Sequence, residues 1–351
     1  MTQSGINPPQ FLRNLWYFAL HASALRPGKL LRKIILGEPV LFGRTEMGEP
    51  FALRDLCPHR GVPLSAGKIR QGTVECPYHG WRFKPSGQCT HIPSLVGQEG
   101  VEPSKIHVRN YQIAERNGLI WVYMPDETQP AIQAIAPPDL PLWPQAKPTL
   151  IEAQLFPCSI DHAVVGLMDP AHGPFVHKAW WWRSQKSIHA KAKKYAPSHL
   201  GFTMVTHKPS SNSTLYKILG GDISTEISFQ LPGIRVEHIK AGRNTVLGLT
   251  TCTPLTAEET EVTQTFFWNI GWIAPFKPIA QHIARVFLGQ DRHMVTLQKE
   301  GLKFNPRLML IQDADIPAIW YHRLKKEWAE SAAAQRAFVN PVQEATLRWR
   351  S

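Results

Sequence analysis

Short apolar runs broken by turn residues fill the first third of the chain. Residues 33–43, 50–56 and 119–123 carry Val, Ile, Leu, Phe and Trp between clusters of Gly, Pro and Asp, the pattern of strands joined by tight turns. From 125 to 148 seven prolines fall among small and polar residues, and no regular element persists through such a stretch. After it, residues 160–168 read as an apolar helical segment, and 203–206, 215–219, 223–229, 234–239, 246–253 and 261–270 as strands. A longer helix is predicted over 278–300, where Ile279, Ile283, Val286, Phe287, Met294 and Leu297 recur near a 3.6-residue period. The pattern predicts an all-β domain over 10–125, a proline-rich seam at 126–148, an α+β domain over 149–335 and a tail at 336–351. No internal repeat is visible.

Composition narrows this picture. With 351 residues, 43% of them apolar, the chain can fill two cores of ordinary size. Its 30 prolines and 24 glycines, with 19% charged residues, exclude a coiled coil. The net charge of +12 raises nucleic-acid binding as a possibility. Its densest basic cluster, 186–194, is short, so solubility or docking to an acidic protein partner explains the charge better. Residues 1–10 lack a basic segment followed by an apolar one. Lys277, His282, Arg285 and two prolines interrupt the aromatic stretch 264–289, which excludes a transmembrane segment there and leaves room for peripheral membrane contact. A cytoplasmic protein is expected.

Two tight loops carry the first candidate chemistry. Cys57-Pro58-His59-Arg60-Gly61 is followed by Cys76-Pro77-Tyr78-His79-Gly80-Trp81, with sixteen residues between His59 and Cys76. Each loop offers one thiolate and one imidazole. Zinc fingers normally segregate two cysteines into one loop and two histidines into the other. Mixing them suits a two-iron, two-sulfide centre, in which two thiolates hold one iron and two imidazoles the other. The remaining cysteines, Cys89, Cys158 and Cys252, form no disulfide framework in a chain of this kind.

A second set lies past the seam. Asp169, His172 and His177 follow the apolar helical segment as Asp-x-x-His-x-x-x-x-His. On a helix the three would share one side, although Pro170, Gly173 and Pro174 favour a bent path. Two histidines and a carboxylate with an open face form the triad of non-heme iron(II) oxygenases. The competing reading is a core histidine with Asp169 as a cap. The carboxylate must come from elsewhere among nine aspartates.

These motifs resemble the Rieske non-heme iron oxygenases, from about Trp16 to Trp328. The similarity is greatest to single-subunit-type monooxygenases and demethylases of the dicamba and vanillate monooxygenase sort. The resemblance implies a Rieske [2Fe-2S] domain, with Cys57, His59, Cys76 and His79 as ligands, followed by a helix-grip catalytic domain, an antiparallel sheet around a long C-terminal helix. It implies mononuclear Fe(II) held by His172, His177 and Asp291, the last on the long helix, with Asp313 and Asp315 as runners-up. It also implies a head-to-tail homotrimer in which Asp169 links His79 of a neighbour to His172. Electrons from NADH or NADPH would arrive through a ferredoxin or flavin reductase, and O2 would be consumed. Gly166 departs from the Asn that many members carry there.

The substrate expected is hydrophobic and ring-containing, hydroxylated or demethylated, because hydroxylating an O- or N-methyl group gives a hemiacetal or hemiaminal that collapses. Trp180, Trp181 and Trp182 hint at an aromatic pocket or its mouth, although such a stripe is more often core or subunit interface. Two other classes remain: a Rieske electron-transfer protein without oxygenation chemistry, and a nucleic-acid-binding protein with structural zinc.

Overall fold

The computed structural model describes residues 11–97, 100–131, 133–177, 188–209 and 222–351. The expected strand at 215–219 and the tryptophans at 180–182 lie outside the described residues. The chain divides into two compact units. One comprises Arg13–Pro125 with Ile135–Pro138, and the other Asp139–Ser351 with Asp126–Ala134. The proline-rich stretch is thus shared out between them.

The first unit is all β. Its strands are β1 (Leu15–His21), β2 (Leu30–Ile35), β3 (Glu38–Arg44), β4 (Pro50–Arg54), β5 (Lys68–Arg70), β6 (Thr73–Glu75), β7 (Arg82–Phe83), β8 (Cys89–His91), β9 (Asn110–Tyr111), β10 (Ile113–Arg116) and β11 (Leu119–Met124). They form three antiparallel sheets, β1-β11-β10, β2-β3-β4-β9 and β5-β6-β7-β8. The run 33–43 is two strands rather than one, because Leu36 and Gly37 both take positive φ, 55° and 76°, and fold β2 back on β3. Positive φ at both central residues gives the turn whose twist matches the flanking strands, and Leu36 is held there by burial, at 3% exposure. The core beneath the second and third sheets contains Leu41, Leu53, Leu64, Val74 and Phe83, together with Cys57 and Cys76.

The second unit is α+β. It contains β12 (Leu150–Phe156), α1 (Ile160–Met168), α2 (Gly173–Val176), β13 (Ala190–Ser198), β14 (Gly201–His207), β15 (Ile223–Gln230), β16 (Ile234–Ala241), β17 (Asn244–Pro254), β18 (Thr260–Trp268), α3 (Lys277–Leu302), α4 (Ile316–Ala333) and β19 (Ala345–Arg350). The eight strands make one antiparallel sheet in the order β12-β18-β17-β16-β15-β14-β13-β19. The stretch 336–351, expected as a tail, therefore ends in a strand paired with β13. Leu347 and Trp349 bury alternate positions of it, which fastens so short a segment to the sheet. Part of the basic cluster is used up in the same place. Lys191 is buried and donates to Ser351 Oγ at 2.8 Å, and Lys193 donates to the Lys208 carbonyl at 3.0 Å.

Helix α3 lies along β12. Gln281 Nε2 donates to the Ile151 carbonyl at 2.8 Å and Gln154 Nε2 to the Arg285 carbonyl at 2.9 Å, so the strand and helix are tied by polar bonds at two points. The period expected for this helix is correct but its phase is not. Ile279, Val286, Met294 and Leu297 are exposed, whereas the buried positions are Ala284, Leu288 and Val295. Asp291 completes that inner series, spaced four, three and four residues apart, which is one face of a helix. Helix α1 is clipped to α4, where buried Lys325 donates to both carboxylate oxygens of Asp161 at 2.7 Å and Tyr321 donates to one of them. Among the described residues no helix is long and apolar enough to cross a membrane.

Candidate functional site

Two loops in the first unit are structural twins. In the first, Cys57 N–H donates to the Val62 carbonyl and Gly61 N–H to the Cys57 carbonyl; in the second, Cys76 N–H donates to Trp81 and Gly80 N–H to Cys76. Each loop therefore closes between the cysteine and the residues four and five later. Gly61 and Gly80 take φ of 69° and 71°, a region that a side chain disfavours, so glycine is what allows both closures. The loops bring His59 and His79 together with ring centroids 4.5 Å apart, and Trp81 stacks on His59 at 4.8 Å and 5°.

The thiols of Cys57 and Cys76 are buried and within hydrogen-bonding reach, and the backbone amides of His59 and Arg60 point at the Cys57 sulfur. Burial, with the neighbouring Cys76, pushes the Cys57 thiol up to about 11 despite those amides. Burial also lowers the affinity of His59 for a proton, with help from His79 and Arg60. Two buried sulfurs, that of Cys57 met by amide donors, beside two imidazoles that the loops bring together, fit a metal–sulfur centre. The Trp81 Nε1–H is buried without a protein partner, a donor such a centre could use. All five cysteines are free of disulfides and buried, and Cys89 shares the core that holds Cys57 and Cys76.

Asp55 pins the first loop. It is completely buried two residues before Cys57, and its carboxylate accepts from Ser65 N–H at 2.7 Å and Ser65 Oγ at 2.6 Å. Asp55→Ala leaves those donors unpaired and is expected to cost about 1–3 kcal/mol. Denaturant unfolding of the cluster-loaded protein measures it; an unchanged midpoint would refute the clip.

The second constellation forms in the other unit. Helix α1 stops at Met168, Asp169 caps it, and Pro170 leads into the single turn of α2. His172 and His177 flank that turn at its two ends. Asp169, His172 and His177 therefore do not share one helix face; the prolines enforce the bent path. The Nε2 atoms of the two histidines are 3.2 Å apart, and Asp291 Oδ1, from α3, lies 3.7 Å from that of His172 and 3.4 Å from that of His177. These three side chains are the described group whose donor atoms converge closely enough to hold a metal ion. The separations suit donors sharing one ion at bonds of roughly 2.1 Å. Asp313 and Asp315 are not in the group; Asp315 instead accepts from Ile311 N–H at 2.7 Å.

Each ring has its other nitrogen engaged. His172 Nδ1 donates to the Asp169 carbonyl at 2.9 Å, with Asp169 Oδ2 at 3.5 Å, while Asp169 Oδ1 accepts from Ala171 N–H. His177 is 2% exposed, and its Nδ1 donates to Gln290 Oε1 at 3.1 Å. Burial pushes the His172 pKa down, but hydrogen bonding and charge from Asp169, with Asp291 added, reverse this and raise it overall. Burial likewise drives Asp291 up to about 6, against His172 and Arg235. A carboxylate so short of solvation fits a cation well.

Beside the triad is a cavity of about 310 Å³, bounded by α1, α3, β12, β18 and the start of α4. Phe156, Val262, Leu288, Val295 and Ala318 give it an apolar wall, and His162, Gln264 and Gln298 its polar points. Sequence reasoning missed Gln290, Gln264 and Gln298. An Asp291-centred reading of the inner stripe of α3 would have found Gln298 seven residues on, but nothing local marks the other two.

Comparison with known proteins gives the family of each unit. A Rieske [2Fe-2S] domain profile matches residues 15–112 and a vanillate O-demethylase oxygenase C-terminal domain profile residues 158–331. The oxygenase component of dicamba O-demethylase from Stenotrophomonas maltophilia is 36% identical over 169 residues, covering 48% of each chain. The iron-sulfur subunit of the toluene-4-sulfonate monooxygenase system of Comamonas testosteroni is 36% identical over 170 residues, 48% of this chain and 47% of that one. Chlorophyllide a oxygenase of Chlamydomonas reinhardtii is 35% identical over 184 residues, 52% of this chain and 27% of that one. The matches span about half or less of these relatives' own lengths. The solved structure of dicamba monooxygenase bound to dicamba superposes with a TM-score of 0.72 at 24% identity, covering 92% of this chain and 99% of that one. That likeness shows the fold.

Proposed function

The chain belongs to the Rieske non-heme iron oxygenases, and from that premise we propose that it is the terminal oxygenase component of a multicomponent system. The convergence of His172, His177 and Asp291 beside an apolar cavity carries this reading. Cys57 and Cys76 would hold one iron of a [2Fe-2S] cluster, His59 and His79 the other, and the triad a mononuclear Fe(II). When bound, the cluster supplies single electrons and the mononuclear iron a place to activate dioxygen.

The chain's own residues prepare both sites. Asp169 fixes the proton of His172 on Nδ1, so that Nε2 faces the ion. The side chain of Asp169 is 32% exposed, accessible to His79 of a neighbouring subunit in a homotrimer. The cavity's apolar wall fits a hydrophobic, ring-containing substrate, hydroxylated or demethylated at the side facing the triad. The likeness to a dicamba O-demethylase supports demethylation. A ferredoxin or flavin reductase would deliver electrons from NADH or NADPH, drawn by the positive charge of this chain. The compartment proposed is the cytoplasm.

Metal and sulfide content tests the assignment. Three irons and two acid-labile sulfides per chain, with a Rieske-type EPR signal after dithionite reduction, are expected of anaerobically purified protein. Two irons with that signal would return the protein to electron transfer alone, and zinc without sulfide would overturn both centres.

Gly166 offers a test of the cavity. It lies on α1 at the cavity wall, and a Cβ there would meet nothing within 4 Å. Gly166→Ala is expected to stabilise α1 by about 0.5–1 kcal/mol. Gly166→Phe would instead fill the cavity, lowering kcat/KM for the bulkiest of a graded series of aromatic methyl ethers and amines by about 10–100-fold. An unchanged size profile would place substrate elsewhere.

A further inference from the structure

Helix α3 touches His177 on three sides. Asp291 Oδ1 lies 3.4 Å from its Nε2, Gln290 Oε1 lies 3.1 Å from its Nδ1, and the Phe287 ring stacks on its face at 3.5 Å and 12°. A neutral imidazole has one N–H and one lone pair, and which nitrogen carries the proton is set by the partner of the other. An amide oxygen can only accept, so Gln290 Oε1 holds the His177 proton on Nδ1. The lone pair of Nε2 then faces Asp291 and His172.

The two histidines reach that state by different means. His172 Nδ1 meets the backbone carbonyl of Asp169, which no substitution removes. His177 Nδ1 meets a replaceable side chain, and that side chain is one residue from the carboxylate of the same triad. One turn of α3 therefore supplies a donor to the site and the group that orients a second donor.

We propose that Gln290 is a positioning residue for the mononuclear site: it selects the metal-binding tautomer of His177 and holds the ring in place. This rests on the reading of His172, His177 and Asp291 as a metal site. Partners of this kind typically carry 10–100-fold in metal affinity. Because Gln290 acts through an acceptor oxygen, a carboxylate of the same length should serve as well, whereas a thioether of the same length should not.

The test uses the full chain with its cluster in place, stripped of mononuclear iron by a chelator and titrated anaerobically with Co(II), whose visible bands report ligation directly. Parent protein is expected to take up one Co(II) per chain at the triad. Gln290→Met should weaken that binding by about 10–100-fold, and Gln290→Glu should stay within about threefold of the parent. Gln290→Asn, which withdraws the oxygen by one methylene, should also weaken it, so the Asn and Glu variants carry the test if the Met variant fails to fold. Parental affinity in Gln290→Met and Gln290→Asn would show that the bond does nothing. Equal losses in the Met and Glu variants would show that packing, not the acceptor, matters, and would equally overturn the proposal. Failure of the parent to bind Co(II) at the triad would instead overturn the metal-site reading beneath it.

Discussion

Asp291→Ala is expected to abolish turnover while leaving the [2Fe-2S] cluster intact. Asp291 is the one carboxylate in a group otherwise made of two imidazoles, so its removal deletes both a bond to the ion and the charge that offsets it. Loss of a hydrogen-bond partner outside a ligand set already costs about 10–100-fold in metal affinity; loss of a ligand should exceed that. Iron content should fall from three to two per chain, with the EPR signal of the reduced cluster unchanged. Misfolding is separable from this outcome. Burial holds the Asp291 pKa at about 6, above its unfolded value, so the metal-free fold loses stability as pH rises through that window. Alanine removes the penalty, and metal-free Asp291→Ala should unfold no earlier than the parent at neutral pH. Retention of three irons with normal turnover would move the ligand elsewhere, Asp315 being the next carboxylate on the same cavity.

Asp169→Ala should give the opposite pattern, with both metal centres retained and most turnover lost. The His172 tautomer depends on the Asp169 backbone carbonyl at 2.9 Å, which survives the substitution, whereas Oδ2 stands off at 3.5 Å. In the proposed trimer the side chain, which accepts from Ala171 N–H through Oδ1, is the group that links two centres across a subunit boundary, and its removal should slow electron transfer without releasing iron. A reduced, substrate-loaded enzyme mixed with oxygen should reoxidise its cluster more slowly by about 10–100-fold, the range for groups acting through a ligand. Reoxidation at the parental rate with normal coupling would end the bridging role. The two variants separate ligand from link, because only Asp291→Ala should change the iron count.

Much of the candidate site was legible because its parts are local. The cluster loops are closed by hydrogen bonds spanning four or five residues and by glycines at positive φ, so Cys57, His59, Cys76 and His79 announce themselves in short motifs. His172 and His177 do likewise around one helical turn. Long-range features were read less well. The hydrophobic period of α3 was plain, but its phase was not, since Ala284, Leu288, Asp291 and Val295 face inward only because that side lies along β12. Leu36 and Gly37 hid a hairpin inside an apparently continuous run.

What the sequence by itself determined is the chemistry on offer, thiolates and imidazoles in stiff loops and a pair of histidines after an apolar helix, because ligand type and local spacing are written in contiguous residues. Only the tertiary structure brought Asp291, the carboxylate the resemblance implied, up to the histidines, set Gln290 against His177 across 113 positions of chain, and opened an apolar cavity beside them. Those outcomes depend on how an eight-stranded sheet and a 26-residue helix pack, and packing is a property of surfaces that meet only after the chain has folded.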